Sequence, residues 1–194
     1  PLNICNMKWG YVYGPFYDSK LTTINLNRKL NYVDEDGDKF TADDDDEGIF
    51  YHKNYSNVGE VNVTLGSQVD TIWYKMFNHL PIRTLTIPGT VKTIENNVFE
   101  GCSALTTLNF EPSVDGAPLT IGYYGGSSDD DSPFYDSPLT TVNLNRELVY
   151  TFNNPNETDE GIFSNKSTLV NLTLGEQVKT LSPYMFAGSG FTTL

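Results

Sequence analysis

The chain has 194 residues and a formal net charge of −13, with 25 acidic against 12 basic side chains. It has no basic stripe to neutralise phosphates, which argues against binding to nucleic acid and against attraction to anionic membranes. No apolar run approaches the roughly 20 residues that a transmembrane helix needs. We therefore expect no nucleic-acid partner and no membrane insertion in this segment.

Seven phenylalanines mark the starts of repeats along the chain. An apolar residue follows five or six positions after each phenylalanine. A second apolar residue comes three positions later, and a third comes two positions after the second. The repeat that begins at Phe50 has two additional residues before its first apolar position. The last two members of each set alternate, which is typical of a strand. The sets are Leu21/Ile24/Leu26 after Phe16, Val58/Val61/Val63 after Phe50, Ile82/Leu85/Ile87 after Phe77, Leu105/Leu108/Phe110 after Phe99, Leu139/Val142/Leu144 after Phe134 and Leu169/Leu172/Leu174 after Phe163, and a last copy begins at Phe186.

A second apolar pair, with its members three residues apart, follows in several repeats. The repeats therefore predict two short extended segments each, joined to a turn or a single helical turn around the phenylalanine. The 22 residues from Phe77 to Phe99 fall in the leucine-rich-repeat range of about 20 to 29. The longer repeats predict added residues at one place, between the second pair and the next phenylalanine. The pairs are Leu30/Val33, Val69/Ile72, Val91/Ile94 and Val178/Leu181.

A longer duplication overlies the short repeats. Residues 15–30 match residues 133–148 at 13 of 16 positions. We interpret the chain as one solenoid domain over 1–194, a piece of a longer array, with duplicated blocks at approximately 1–117 and 118–194. Asp18 with Arg28 recurs as Asp136 with Arg146, which is either a repeated ion pair or identity inherited from the duplication.

The run VKTIENNVFEGCSALTTL at residues 91–108 resembles the BspA-type leucine-rich repeat of bacterial surface proteins. That resemblance implies a right-handed leucine-rich-repeat solenoid, mainly β, with short strands and little helix. It also implies an extracellular or cell-surface location in a bacterium, and adhesion to host or bacterial macromolecules. The family's cysteine survives once, as Cys102. Its small residue before phenylalanine is replaced at Pro15, Met76, Val98 and Met185.

The outward positions of the predicted strands form a ladder of short polar side chains. Threonine suits strands and keeps an exposed sheet soluble, whereas repeat proteins also use such extended surfaces for binding. Few aromatic residues stand on this ladder, which favours protein contact over carbohydrate stacking. The candidate partner-binding residues are Thr23, Asn25, Glu60, Asn62, Thr84, Thr86, Thr107, Asn109, Thr141, Asn143, Asn171 and Thr173.

An acidic insertion at residues 34–47 carries nine acids and one lysine. Asp34, Asp36, Asp38 and Asp45 are candidate calcium ligands, because a calcium loop brings several carboxylates onto one cation. Lys39 stands where such a loop needs its turn glycine. A hydrated acidic loop is the alternative.

Catalysis finds little support in the sequence. Its two histidines, His52 and His79, have no metal-binding spacing. We interpret Cys5 and Cys102 as unpaired thiols, and we expect neither enzymatic activity nor a cofactor.

Tyrosines gather around corresponding insertions of the two blocks. They either form a recognition surface or cover the edge of a thin core. If they form a recognition surface, a carbohydrate-binding module is an alternative to a protein-binding adhesin. A passive spacer for another domain is the second alternative. The tyrosines are Tyr11, Tyr13, Tyr17, Tyr123, Tyr124 and Tyr135.

Overall fold

The structure, a computed structural model, describes residues 1–5, 14–33, 48–51, 59–122, 132–134, 136–150 and 161–192. These residues form short strands and turns, and no helix occurs among them. Stacked parallel strands without helix confirm the prediction of a mainly β solenoid. The strands are β1 (Leu2–Cys5), β2 (Thr23–Leu26), β3 (Leu30–Val33), β4 (Asn62–Leu65), β5 (Thr71–Ile72), β6 (Thr84–Ile87), β7 (Thr93–Ile94), β8 (Thr107–Phe110), β9 (Leu119–Ile121), β10 (Thr141–Arg146), β11 (Leu148–Tyr150) and β12 (Asn171–Gln177).

The strands form two columns of parallel pairs. Column A contains the even-numbered strands, in which β2 pairs with β4 and β6 continues through β8 and β10 to β12. Column B contains the odd-numbered strands, in which β1 pairs with β3 and β5 continues through β7 and β9 to β11. The repeats that begin at Phe16, Phe50, Phe77, Phe99 and Phe134 thus each supply one strand to each column, as the two apolar sets predict. The repeat at Phe163 supplies only β12, and its predicted second pair, Val178/Leu181, does not form a strand.

Both columns are interrupted at the same level of the stack, because no ladder joins β4 to β6 or β3 to β5. Other contacts span this level. The Val61 N–H donates to the carbonyl of Pro81 at 3.1 Å. The indole N–H of Trp73 donates to the carbonyl of Leu30 at 3.0 Å. The strands β4 and β6 are therefore not hydrogen-bonded to each other, but the two parts of the stack stay joined by these bonds.

The seven repeat phenylalanines form one continuous stack of rings through the core. Consecutive ring centroids lie 5.1, 5.6, 5.7, 5.6, 5.4 and 5.3 Å apart from Phe16 to Phe186. The rings of Phe77, Phe99, Phe134 and Phe163 are fully buried. Burial of aromatic area contributes most to the stability of such a core, and favourable ring pairs add about 0.5–1.5 kcal/mol each.

The turn after each phenylalanine repeats one unusual backbone conformation. The second residue after the phenylalanine has a positive φ in six described repeats, a conformation that favours Gly, Asn, Asp and His. This conformation lets its N–H donate to the next repeat, as in the 2.7 Å bond from Asn165 to the Ala187 carbonyl. The turns therefore add a third column of hydrogen bonds. The six residues are Asp18, His79, Gly101, Asp136, Asn165 and Gly188.

Added residues occur at a place that the sequence did not predict. Eight residues, 111–118, separate β8 from β9, whereas five separate β6 from β7 and three separate β2 from β3. The prediction that all additions precede a phenylalanine is therefore wrong for this repeat. We call residues 111–118 the hook, because they bond both to Gly89, in the link after β6, and to Gln177 of β12.

Candidate binding site

The polar ladder predicted from the sequence lies on the outer side of column A, where it forms two rows. One row runs in register from Thr84 through Thr107 and Thr141 to Asn171. Its inner neighbours alternate with it and are buried, as the pattern of β10 illustrates. We call this surface the polar face. Thr23, Asn25, Asn62, Thr84, Thr86, Asn171 and Thr173 are exposed, and Thr107, Asn109, Thr141 and Asn143 are half-buried.

One residue of the predicted ladder lies elsewhere. Asn62, and not Glu60, is in register with Thr23, and Thr64 is in register with Asn25, because Val63 pairs with Ile24. Glu60 precedes β4 and forms an ion pair with Arg83 at 3.2 Å. The sequence misled because Val61 is also buried, so the alternation from Val61 onward fits two registers.

Side chains on part of the polar face bond to one another. The Asn143 amide donates to Asn109 Oδ1 at 2.7 Å, and the Asn109 amide donates to Thr86 Oγ1 at 3.3 Å. The Asn171 amide donates to Thr141 Oγ1 at 3.3 Å. Side-chain ladders of this kind stiffen a parallel stack. The surface from β6 to β12 is therefore rigid, with part of its hydrogen-bonding capacity already used.

A groove of about 450 Å³ opens on the polar face at the interruption between β4 and β6. Polar-face residues Thr64, Thr84 and Thr86 line it, together with the apolar side chains of Val63 and Leu65. No backbone hydrogen bond joins β4 to β6 in the described residues. The groove therefore combines hydroxyl groups with apolar residues.

One wall of the groove consists of Pro88–Thr90, which follow β6, and of Glu111 and Val114 from the hook. The Gly89 N–H donates to a carboxylate oxygen of Glu111, and the Val114 N–H donates to the Gly89 carbonyl, both at 3.3 Å. The hook lies so close that a Cβ on Gly89 would meet the Pro112 carbonyl oxygen at 2.0 Å. At its tip, Val114 is 70 % exposed.

Long-range bonds hold this wall in place. Buried Arg146 donates to the carbonyls of Val91 at 2.8 Å and Pro88 at 3.1 Å. The side-chain amide of Gln177 bonds to both backbone groups of Ser113, accepting at 2.8 Å and donating at 3.2 Å. The wall is therefore fixed by residues from β10 and β12. Among the described residues, Arg146 thus bonds to carbonyls and not to Asp136. Of the two interpretations of the recurring Asp/Arg pair, this favours identity inherited from the duplication over a repeated ion pair.

Charges around the wall are mutually compensating. Burial lowers the pKa of Arg146 to about 10, and the carboxylates of Glu111 and Asp115 act in the opposite direction. The bond from Lys92 to Asp115, 2.6 Å long, holds the pKa of that carboxyl well below its usual range. Asp115 also accepts hydrogen bonds from the Ser113 hydroxyl at 2.8 Å and from the Ala117 N–H at 3.1 Å.

Most of the predicted tyrosine group falls outside the described residues. Tyr17 is described and half-buried, and its ring stacks on Tyr51 with centroids 5.7 Å apart. The rings of Tyr51 and His79 pack in a T-shaped arrangement, with their centroids 6.1 Å apart. These rings continue the packing of the phenylalanine turns. Outside the described residues lie Tyr11, Tyr13, Tyr123, Tyr124 and Tyr135.

The candidate calcium ligands Asp34, Asp36, Asp38 and Asp45 also lie outside the described residues, as does His52. Within the described part of the chain, no cluster of three or more His, Cys, Asp or Glu residues is placed to hold a metal ion.

The described histidine and thiol have structural positions. His79 occupies a phenylalanine turn, and burial lowers its pKa. Cys102 is buried and unpaired, and its thiol donates to the Phe77 carbonyl at 3.1 Å. Burial raises the pKa of this thiol far above the range in which a thiolate forms. Cys5 lies in β1.

Sequence reasoning missed the groove and the hook. One signal was present, because EPSVDGAP at 111–118 is longer than the corresponding link of other repeats. The contacts of Arg146 and Gln177 had no signal, since their partners lie 55 to 64 residues away.

Comparison with known families gives one clear match. A family model described as the BspA type leucine rich repeat region matches six copies, over residues 48–122 and 127–194. Neither the curated proteins nor the solved structures give a match. The described residues contain no helix that could cross a membrane. The repeat at Phe16 precedes the matched range but shares the strand and the ring stack. The matched copies, the paired strand columns and the phenylalanine stack together show that the chain belongs to the BspA-type leucine-rich-repeat family.

Proposed function

We propose that this chain is a non-catalytic binding module of a bacterial cell surface, which presents its polar face to extracellular proteins in adhesion. The observation that carries this proposal is the in-register polar face on a rigid core. Repeat proteins use such extended surfaces for recognition. The resemblance to BspA-type proteins of bacterial surfaces supports the location.

The mechanism follows from the rigidity of the stack. A surface that is already ordered loses little conformational entropy on binding, so many individually weak polar contacts can add up to useful affinity. Exposed Thr and Asn side chains supply both donors and acceptors for such contacts. The net charge of −13 disfavours acidic partners and favours basic ones.

Protein partners fit the polar face better than glycans do. No aromatic residue belongs to the polar face, so it offers no ring on which a sugar could stack. Tyr17 and Tyr51 stack on each other, which covers one face of each ring. A glycan ligand remains the second outcome of the test below.

The proposal is tested by binding the purified chain to an array of extracellular-matrix and plasma proteins, with a glycan array beside it. Calcium and a chelator are compared, at low and at high salt. We expect saturable binding to one or more proteins that weakens as salt rises. A requirement for calcium would direct attention to Asp34, Asp36, Asp38 and Asp45.

A matched pair of variants locates the contact. Thr173→Arg places a bulky cation on the polar face. Thr120→Arg places one at the exposed middle residue of β9, in column B. We expect Thr173→Arg to weaken protein binding by about tenfold, which corresponds to about 1.4 kcal/mol. Thr120→Arg should leave it unchanged. Binding to glycans alone would favour a carbohydrate-binding module, and silence on both arrays would favour a passive spacer.

A further inference from the structure

The groove between β4 and β6 differs from the rest of the polar face in its apolar content. Its lining includes Val63 and Leu65, which also pack against the core, and the 70 % exposed Val114. Binding pockets are lined mainly by apolar side chains, with a few polar groups that fix the orientation of the ligand. A volume of about 450 Å³ lies within the range of ligand pockets. The groove can therefore take an apolar side chain of a partner.

Bonds that reach across the stack hold the groove in shape before any ligand arrives. Arg146 bonds to the Pro88 and Val91 carbonyls from beneath, and Gln177 bonds to Ser113 from the side. Such preorganisation lowers the entropic cost of binding, because the wall needs no further ordering.

The charge and hydrogen-bonding groups of the groove indicate the chemistry of its occupant. Among the described residues that line it, none is aromatic and only Glu111 is charged. One oxygen of Glu111 accepts from Gly89, and the other is available to a cation. The hydroxyl groups of Thr64, Thr84 and Thr86 can bond to the backbone of a bound segment.

We propose that this groove binds an extended segment of a partner protein, in which an apolar side chain is flanked by lysine or arginine. The apolar side chain enters between Val63, Leu65 and Val114, and the basic residue pairs with Glu111. The backbone of the segment bonds to the hydroxyl groups of Thr64, Thr84 and Thr86. This inference rests on the proposed function and specifies its contact point.

The test uses pools of short synthetic peptides with blocked ends and identical polar flanks. The central residues are basic–apolar–basic, acidic–apolar–acidic, basic–serine–basic or serine–apolar–serine. Binding to the isotope-labelled 194-residue chain is followed by the amide shifts of Thr64, Thr84, Thr86, Glu111 and Val114. We expect the basic–apolar–basic pool to bind most tightly, with shifts confined to these residues.

Two groove variants and two matched controls make the test specific. Val114→Ser removes an exposed side chain, and Glu111→Gln keeps an acceptor for the Gly89 N–H while it removes the charge. The controls are Val149→Ser, 45 % exposed on β11, and Glu176→Gln, exposed on β12. We expect each groove variant to weaken binding of the basic–apolar–basic pool about five- to tenfold, and the controls to leave it unchanged.

The outcomes separate this inference from the proposed function. Equal binding of the acidic and basic pools, binding that Val114→Ser and Glu111→Gln leave intact, or no binding of any pool would each overturn the groove assignment. If array proteins still bind and respond to Thr173→Arg in those cases, the polar face functions without this groove. Loss of array binding in Val114→Ser and Glu111→Gln, with the controls intact, would support both.

Discussion

Residues 15–30 and 133–148 differ at only three positions, yet they occupy different surroundings. Among the described strands, β2 pairs with β4 alone, whereas β10 lies between β8 and β12. Phe16 is 41 % exposed and Phe134 is fully buried. In a stacked repeat, the energetic contribution of a residue therefore depends on how many neighbouring repeats it meets, and identity of sequence does not fix it.

Local backbone features, in contrast, are the same in both segments. Asp18 has a φ of 53° and Asp136 has a φ of 56°. Each segment also has an asparagine that packs against a glycine of the next repeat. A Cβ on Gly66 would meet Asn27 Oδ1 at 2.2 Å, and a Cβ on Gly175 would meet Asn145 Oδ1 at 2.5 Å. Turn conformation is therefore encoded within a repeat, whereas burial is encoded by its neighbours.

The phenylalanine stack gives the largest expected difference between the segments. Phe134→Ala removes a ring that stacks on Phe99 and Phe163 and meets the edge of Phe110. We expect a loss of about 3–5 kcal/mol in the free energy of unfolding for this fully buried ring. Phe16→Ala should cost less than about 2 kcal/mol, because that ring is already partly in water. Urea unfolding of both variants checks the difference. Equal losses would contradict the dependence on neighbours.

The duplicated arginines give the next difference. Arg146→Met leaves the Pro88 and Val91 carbonyls without their charged donor. A buried acceptor that loses its partner costs about 1–3 kcal/mol, so we expect the free energy of unfolding to fall by about 2–4 kcal/mol. Arg28 is exposed, and Arg28→Met should change it by less than about 0.5 kcal/mol. The same urea titration compares them, and a loss at Arg28 as large as that at Arg146 would show that Arg28 has an equivalent role.

These expectations indicate what the sequence could and could not predict. The periodicity of Leu85, Leu108 and Val142 predicted column A, because burial of alternate side chains leaves a direct mark on composition. The turn residues also carried a signal, since Asp, Asn and Gly recur two positions after phenylalanine. The position of Arg146 had none, because a charged residue in an alternating pattern reads as an exposed one. Long-range bonds that build a groove have no local pattern.

A smaller effect is expected where the segments should respond alike. Asp18→Val and Asp136→Val each place a β-branched residue at a positive φ, which costs about 1–3 kcal/mol in backbone strain. We expect the two losses to agree within about 0.5 kcal/mol, because the two φ values nearly coincide. Asp18→Asn and Asp136→Asn serve as controls that keep a residue suited to this turn. A large loss in either asparagine variant would mean that the carboxylate itself matters.

The turn position of the Phe77 repeat offers the smallest effect and a different observable. His79 occupies the same place as Asp18 and Asp136 but carries a titratable ring whose pKa burial lowers from 6.5. The folded chain then binds fewer protons than the unfolded chain in this pH range. The contribution of His79 to the free energy of unfolding should therefore be fully present above pH 6.5 and be lost as pH falls through the folded pKa. His79→Asn keeps a residue suited to a positive φ and removes the ring's titration. The fall in melting temperature from pH 7.5 to pH 5 should therefore be smaller in His79→Asn than in the original chain. An identical fall in both would show that the titration of His79 does not contribute to the acid sensitivity.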